Sequence, residues 1–272
     1  MPDQYAVIGN PIGHSMSPRI HTAFAHQTGQ NMNYEALLAP VNAFAAGVDA
    51  FHRRGGRGLN VTLPFKGEAF RIATRCSKRA VEAQAVNTLR FDGDAIYGEN
   101  TDGIGLVNDL MLNLGRTITG QSVLLLGAGG AARGAIGPLL DQKPRQLVLA
   151  NRSLEKARSL AQSFRGAIDA CNYAALAGRC FDLVINATSA SLSDELPPLP
   201  SGVFATGALA YDMMYGKSDT PFLAFARSEG AAVLADGLGM LVEQAAESFF
   251  IWRGLRPDTA PVVKLLRQTA DD

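Results

Sequence analysis

The amino-acid sequence predicts an α/β fold with largely parallel sheets, on three observations. Short apolar, β-branched runs alternate with helix-like stretches almost from end to end. A glycine-rich turn at residues 127–132 follows one of those runs directly and opens an alanine-rich helix. Hydrophobic residues make up 47% of the 272-residue chain and charged residues 18%, enough apolar surface for one large domain or two modest ones.

Taken in order, residues 5–9 read as a buried strand, 21–27 as helical, and 33–38 and 58–64 as further strands. From Ala85 the pattern changes, and two short runs on either side of Gly93-Asp94 predict a hairpin. Ile104, Val107, Leu110, Met111 and Leu114 recur at helical spacing, which predicts one helix over 102–114. A fresh start follows Gly120. Strands are predicted at 123–126, 147–150, 181–186, 208–211 and 231–234, the βαβ rhythm of a dinucleotide-binding fold. A last apolar helix covers 239–252 and ends near Arg253-Gly254, before Pro257. The proline cluster at 197–200 reads as a surface loop.

Charge and cysteine usage narrow the function. Lys+Arg and Asp+Glu number 25 each, so the formal net charge is zero. That balance argues against nucleic acid as a partner, which calls for a basic face, and against electrostatic attachment to a membrane. No apolar run approaches a membrane span, and the N-terminus lacks the basic and apolar regions of a signal peptide, so a cytoplasmic protein is expected. Cys76, Cys171 and Cys180 form no Cys-x-x-Cys pair and suggest neither a disulfide framework nor a zinc site. No cluster of His, Asp and Glu suggests another metal.

Gly127-Ala128-Gly129-Gly130-Ala131-Ala132 fits G-x-G-x-x-A. The first glycine permits the turn and the second lets the backbone approach a pyrophosphate. The helix N-terminus then offers N–H groups and a positive dipole end. At the end of the next strand, NAD-selective folds place an acid about 20 residues on, for the ribose 2′-OH. Here Asn151-Arg152-Ser153 stands in that place, with Lys156 three residues further. A guanidinium and an ammonium match a 2′-phosphate, which an aspartate would repel. The cofactor read from these residues is NADP; the plainer alternative is a solvated strand–helix junction.

The run from Gly58 to Lys66 ends a strand with several hydrogen-bonding side chains and a lysine. Alternate residues of a strand share a face, so Asn60 and Thr62 are expected to point the same way. By itself Lys66 reads as a solvated lysine at the turn into a helix, and Asp102 as the cap of the helix it opens.

Seven segments, in order, go beyond these generic readings. They are Gly9-Asn-Pro-Ile-Gly-His14-Ser15-Met-Ser17-Pro18, Asn60-Val-Thr62-Leu-Pro64-Phe-Lys66, Ala85-Val-Asn87-Thr88 and Asn100-Thr-Asp102-Gly103, then the Gly127 loop, Asn151-Arg-Ser, and Ala235-Asp-Gly237-Leu-Gly-Met240. Together they closely resemble the shikimate dehydrogenase family, over residues 5–265. The resemblance implies a three-layer α/β/α substrate domain, residues 1–102 and 239–272, and a Rossmann-type NADP-binding domain, 103–238, with the active site in the cleft between them. It implies NADPH-dependent reduction of 3-dehydroshikimate to shikimate, on the chorismate route to aromatic amino acids, by a monomer or homodimer. The catalytic pair it implies is Lys66 and Asp102. Implied substrate contacts are Ser15, Ser17, Asn60, Thr62, Lys66, Asn87, Asp102, Tyr215 and Gln244. Implied cofactor contacts are Gly127, Ala128, Gly129, Gly130, Ala131, Asn151, Arg152, Ser153, Lys156, Thr188, Met213, Gly237 and Met240.

Such a substrate presents a carboxylate, two hydroxyls and a ketone. Hydroxyls of Ser15, Ser17 and Tyr215 can hold the carboxylate without an arginine. Asn87, Asp102 and Gln244 suit the ring hydroxyls, because a site built to bond a hydroxyl disfavours an analogue lacking it. Lys66 would stabilise charge developing on the ketone oxygen and deliver a proton, with Asp102 orienting it. His14 is expected to bond nearby backbone rather than do chemistry.

Two positions depart from the family pattern. Ala190-Ser191 stands where the family has x-Gly; if that site needs positive φ, a side chain costs about 1–2 kcal/mol. Met16 stands where a lysine is frequent, and its side chain is expected to face away from the pocket. Three competing readings are a quinate/shikimate dehydrogenase paralogue, a non-catalytic NADP(H)-sensing regulator, and a methylene-folate dehydrogenase. The Asn151-Arg152-Ser153 segment and Ser17 in place of threonine favour the shikimate-specific, NADP-using branch.

Overall fold

Strand β1 (Asp3–Gly9) buries its last five residues, as a parallel strand covered on both faces does. In this computed structural model, which describes residues 1–190, 195–216 and 218–270, the chain divides into two units. The first comprises Met1–Gly105 and Val242–Leu265, the second Leu106–Leu241 and the chain from Leu266 on. The expected division kept 239–272 with the first unit. Here α-helical residues after Leu265 count with the second, where Arg267 pairs with Asp236.

In the first unit β1 is followed by α1 (Ser17–Thr28), β2 (Met32–Leu38), α2 (Phe44–Arg53) and β3 (Gly56–Val61). Next come α3 (Lys66–Ile72), the two-residue β4 (Arg75–Cys76), α4 (Lys78–Ala83), and β5 (Thr88–Asp92) paired with β6 (Ala95–Glu99). The sheet order is β2-β1-β3-β5-β6-β4, with β1 parallel to β2 and β3, and β5 antiparallel to β3 and β6. Alternation along β1 fixes the two covered faces. Ala6 and Ile8 join a core with Phe44, Val48 and Phe51 of α2 and Ala69 of α3. On the other face, Tyr5 packs against Trp252 of the last long helix, with ring centroids 4.8 Å apart.

The expected helix over 102–114 is instead α5 (Asp102–Asn108) followed by a π turn over Asp109–Asn113. The Leu114 N–H bonds back five residues to the Asp109 carbonyl. That extra residue rotates the helical face: Val107 and Leu110 stay buried, but Met111 is 41% exposed. Asp109 turns inward there, taking hydrogen bonds from the Tyr211 hydroxyl at 2.6 Å and from Asn113 at 2.8 Å. Burial pushes its carboxyl above the usual range.

The second unit runs β7 (Ser122–Leu126), α6 (Gly130–Asp141), β8 (Gln146–Ala150), α7 (Leu154–Gln162), β9 (Ile168–Cys171) and β10 (Phe181–Asn186). It continues with β11 (Phe204–Asp212), α8 (Pro221–Ser228) and β12 (Val233–Ala235). Its six strands are all parallel, in the order β12-β11-β10-β7-β8-β9. From the far edge this is the 3-2-1-4-5-6 order of a Rossmann sheet, with the switch point between β7 and β10. Leu124, Val148 and Val184 pack with Phe222 and Leu223 of α8. The chain ends in α9 (Leu238–Arg253) and α10 (Ala260–Ala270). Among the described residues no helix is long and apolar enough to cross a membrane.

His21 of α1 is fully buried in the first unit, stacked at 4.2 Å on Tyr34 and edge-on to Phe24. Its Nε2 lies 3.1 Å from the Asn60 carbonyl oxygen, which only accepts, so Nε2 carries the proton and Nδ1 is a bare acceptor. Nδ1 has no partner. Burial therefore pushes the imidazole down to about 3. Below the ordinary histidine value near 6.5 the unfolded chain gains a proton that the folded one refuses. Stability conferred by neutral His21 is complete above that value and is lost as pH falls toward 3, at about 1.4 kcal/mol per pH unit. Urea unfolding between pH 6 and pH 4.5 is expected to show this slope, and His21→Gln to flatten it by close to one proton. An unchanged slope in that variant would mean that folded His21 accepts the proton.

Candidate active site

Lys66 and Asp102 meet because the chain reverses sharply after β3. The Phe65 N–H bonds to the Thr62 carbonyl, and Lys66 becomes the first residue of α3. The Val86 N–H bonds to the Lys66 carbonyl and ties this turn to the segment leading into β5. Lys66 Nζ donates to Asp102 Oδ2 at 2.6 Å, with the two side chains 28% and 20% exposed. Asp102 opens α5, yet its carboxylate is directed to partners outside the helix. Asn100 Oδ1 accepts from the Asp102 N–H, and the other carboxylate oxygen accepts from Asn87 Nδ2 at 2.8 Å.

Asn87 can make that contact in only one orientation of its amide. Its Oδ1 accepts from the Thr101 N–H at 2.9 Å and from Thr88 Oγ1 at 3.0 Å. Nδ2 is thereby turned toward Asp102 and, at 3.3 Å, Gln244 Oε1. Lys66, Asn87, Asp102 and Gln244 thus form one connected polar cluster in the first unit.

A second chain of contacts runs through Asn60. Its Oδ1 accepts from the Tyr34 hydroxyl at 2.7 Å and from His21. Its Nδ2 donates to the Asn87 carbonyl and to the hydroxyls of Thr88 and Ser248. The Tyr34 hydroxyl in turn bonds to Ser17, and burial holds it well above the usual phenol range, so it stays protonated. Ser17 is buried at the start of α1, and its N–H donates to Ser15 Oγ. Thr62 is half-buried and lies against Gly9. His14 is exposed. Sequence reasoning missed Tyr34, His21, Thr101 and Ser248, whose partners lie 14 to 188 positions away in the chain.

The remaining expected contacts belong to the second unit. Gly127 turns at φ 101°, and a Cβ there would lie 3.1 Å from the Ala187 carbonyl, so glycine is required. The next turn leads into α6, which begins at Gly130 with Gly129 at its cap, a residue with no side chain to bond the first N–H groups. Among the described residues, none beyond the neighbouring chain lies within 4 Å of where a Cβ on Gly129 or Gly130 would stand. An uncapped helix end with open space before it suits a pyrophosphate. Beside it a groove of about 560 Å³ is bordered by Ala128, Gly129 and Gly130 on one side and by Ser153 and Lys156 on the other. Ser153 caps α7 and Asn151 bonds to the Ser153 carbonyl, which sets the strand-end turn. Ala131 and Arg152 are exposed, and the charge of Arg152 acts on Tyr173. These residues together fit an NADP diphosphate and its 2′-phosphate.

Thr188 donates through N–H and hydroxyl to Asn186 Oδ1. Beyond β11, Gly237 packs so closely that a Cβ would stand 2.1 Å from the Met213 carbonyl oxygen. The Met240 N–H donates to the Tyr211 hydroxyl. Tyr215 is 42% exposed on this unit. The departure at Ser191 lies outside the described residues. Among the described residues no group of three or more His, Cys, Asp or Glu is placed to hold a metal.

Residues 7–89 match the family model for the shikimate dehydrogenase substrate binding domain, and 109–193 that for shikimate / quinate 5-dehydrogenase. Residues 237–267 match the shikimate 5'-dehydrogenase C-terminal domain. The shikimate dehydrogenase (NADP(+)) of Aromatoleum aromaticum is 62% identical, over 99% of this chain and 98% of its own. The solved structure of an Ael1 enzyme from Pseudomonas putida is 51% identical with a TM-score of 0.94, covering 97% of this chain and 98% of that one. Shikimate 5-dehydrogenase from Thermus thermophilus, solved in complex with NADP(H) and shikimate, is 31% identical with a TM-score of 0.87, over 98% and 99%. Similarity of this degree along the whole length means that the chain belongs to the shikimate dehydrogenase family.

Proposed function

We propose that this chain catalyses the reversible NADPH-dependent reduction of 3-dehydroshikimate to shikimate, with the first unit holding the substrate and the second the cofactor. The observation that carries the reading is the 2.6 Å contact of Lys66 with Asp102, braced on its far side by Asn87. NADPH, when bound, supplies the hydride. Lys66 as ammonium faces the ketone oxygen, stabilises the negative charge that develops there and gives up a proton to it. In the reverse direction the amine takes the proton back. Asp102 holds the Lys66 nitrogen in position.

Recognition of the carboxylate in this reading uses neutral donors. Ser15, Ser17 and Tyr215 take the carboxylate, and Asn87, Asp102 and Gln244 take the ring hydroxyls, with Thr62 beside them. Asn60 has its amide engaged within the unit and serves by holding the Asn87 carbonyl and Tyr34. The Gly127–Ala131 turn, Asn151, Arg152, Ser153 and Lys156 hold the diphosphate and adenosine end. Thr188, Met213, Gly237 and Met240 border the nicotinamide. The balanced charge of the chain supports a small-molecule enzyme rather than a nucleic-acid binder.

Initial rates with shikimate and with quinate, each with NADP and with NAD, test the assignment. Shikimate with NADP is expected to be fastest. A preference for quinate or NAD would overturn the specificity, and no rate with any pair would favour a regulator. Lys66→Ala should lose about 10²–10⁴-fold in kcat while NADP affinity, measured by calorimetry, stays near wild type. Near-normal turnover would remove Lys66 from the chemistry. Tyr34→Phe removes the hydroxyl between Ser17 and Asn60; KM for shikimate should rise about fivefold, as for a lost hydrogen bond of about 1 kcal/mol, with kcat and KM for NADP little changed. An unaltered KM would show that Ser17 is placed without Tyr34.

A further inference from the structure

The groove beside α6 holds a cation that the glycine-loop and strand-end motifs do not include. Arg133, the fourth residue of α6, lies three positions after Gly130 and therefore on the same helical face. It borders the groove together with Lys156, Glu155 and Ser159 of α7. Its guanidinium is 6.0 Å from the Phe164 ring centroid, a contact that restrains the side chain near the far end of α7. Arg152, the arginine of the strand-end motif, does not border this groove.

A charge count decides what the groove can hold. Glu155 faces it as well, so Lys156 alone would leave it close to neutral and poorly suited to a dianionic phosphate. Arg133 adds a second cation to its border. A guanidinium also offers paired N–H groups that match two phosphate oxygens, whereas the ammonium of Lys156 acts as a point charge. The N–H groups at the start of α6 would take the diphosphate and are separate from this contribution.

We propose that Arg133 binds the 2′-phosphate of NADP from the α6 side, opposite Lys156 and with the Ser159 hydroxyl as a further donor, and that it strengthens the preference for NADP over NAD that Arg152 and Lys156 provide. The inference rests on the reading of this groove as the adenosine 2′-phosphate site. The test is calorimetric binding of adenosine 2′,5′-bisphosphate and of 5′-AMP to wild type, Arg133→Gln, Arg133→Lys and Lys156→Gln, beside KM for NADP and for NAD. Arg133→Gln is expected to weaken the bisphosphate about tenfold or more and leave 5′-AMP unchanged, with Arg133→Lys recovering part of the loss. KM should follow the same split, rising for NADP and not for NAD. Equal weakening of both ligands would place Arg133 on the adenine or in the fold and overturn the proposal. Loss in Lys156→Gln but not in Arg133→Gln would overturn it while keeping the groove. No loss in either variant would overturn the reading of the groove itself.

Discussion

A carboxylate in the first turn of a helix has an obvious local partner, the free N–H groups of that turn. Asp102 occupies such a position and is directed elsewhere, and the organisation of the first unit follows from keeping it so. Asn100 takes the Asp102 N–H, so the end of α5 is satisfied by a neighbour. Asn87 takes one carboxylate oxygen and leaves the other to Lys66. Asn87 in turn is held at every polar atom: its N–H by the Glu99 carbonyl across the hairpin, its carbonyl by Asn60, its amide oxygen by Thr101. Each of these bonds has a net value of about 1 kcal/mol, but leaving any of the buried groups unpaired would cost about 1–3. The lysine nitrogen thus inherits part of its precision from residues behind the site, Asn100, Thr101 and Asn60, that hold Asp102 and Asn87 in place.

The second unit uses a simpler constraint, closeness of backbones. Gly127 against Ala187 and Gly237 against Met213 leave no room for a Cβ, so the loops at the strand ends are packed main chain to main chain. Asn186 and Asp212 tie these loops together, since Asn186 serves Thr188 and Asp212 while Asp212 takes the Met214 N–H and the Thr220 hydroxyl. A surface made in this way presents peptide groups in fixed positions, which suits a ligand made largely of phosphates and amide.

Much of this was legible in the sequence. The alternation of strands and helices, the glycine loop, and Lys66, Asn87 and Asp102 all rest on local pattern or on motif order. What was not legible depends on distance along the chain or on very short elements. β4 spans two residues and β9 four, at or near sheet edges, and neither length carries a period. The π turn at Asp109 was hidden because Val107, Leu110 and Leu114 keep helical spacing whichever ladder follows. Tyr34 lies within the strand predicted over 33–38, and only folding brings its hydroxyl to Asn60, 26 residues on. Arg133 carries no signal of its own on the alanine-rich helix, because its neighbours in the groove come from α7.

The neutral His21 has a consequence at some distance from itself. Because it cannot become an imidazolium at working pH, the polar network behind Asn60 and Ser17 carries no formal charge, and Lys66 is offset by Asp102. In the proposed reading the substrate carboxylate meets hydroxyl dipoles, while the 2′-phosphate meets the charged side chains that border the groove beside α6. Added electrolyte, which shortens the Debye length from about 10 Å at 0.1 M to about 3 Å at 1 M, thus acts on the two ligands unequally. On that reading, ionic strength becomes a handle that loosens the nucleotide more than the cyclohexene acid.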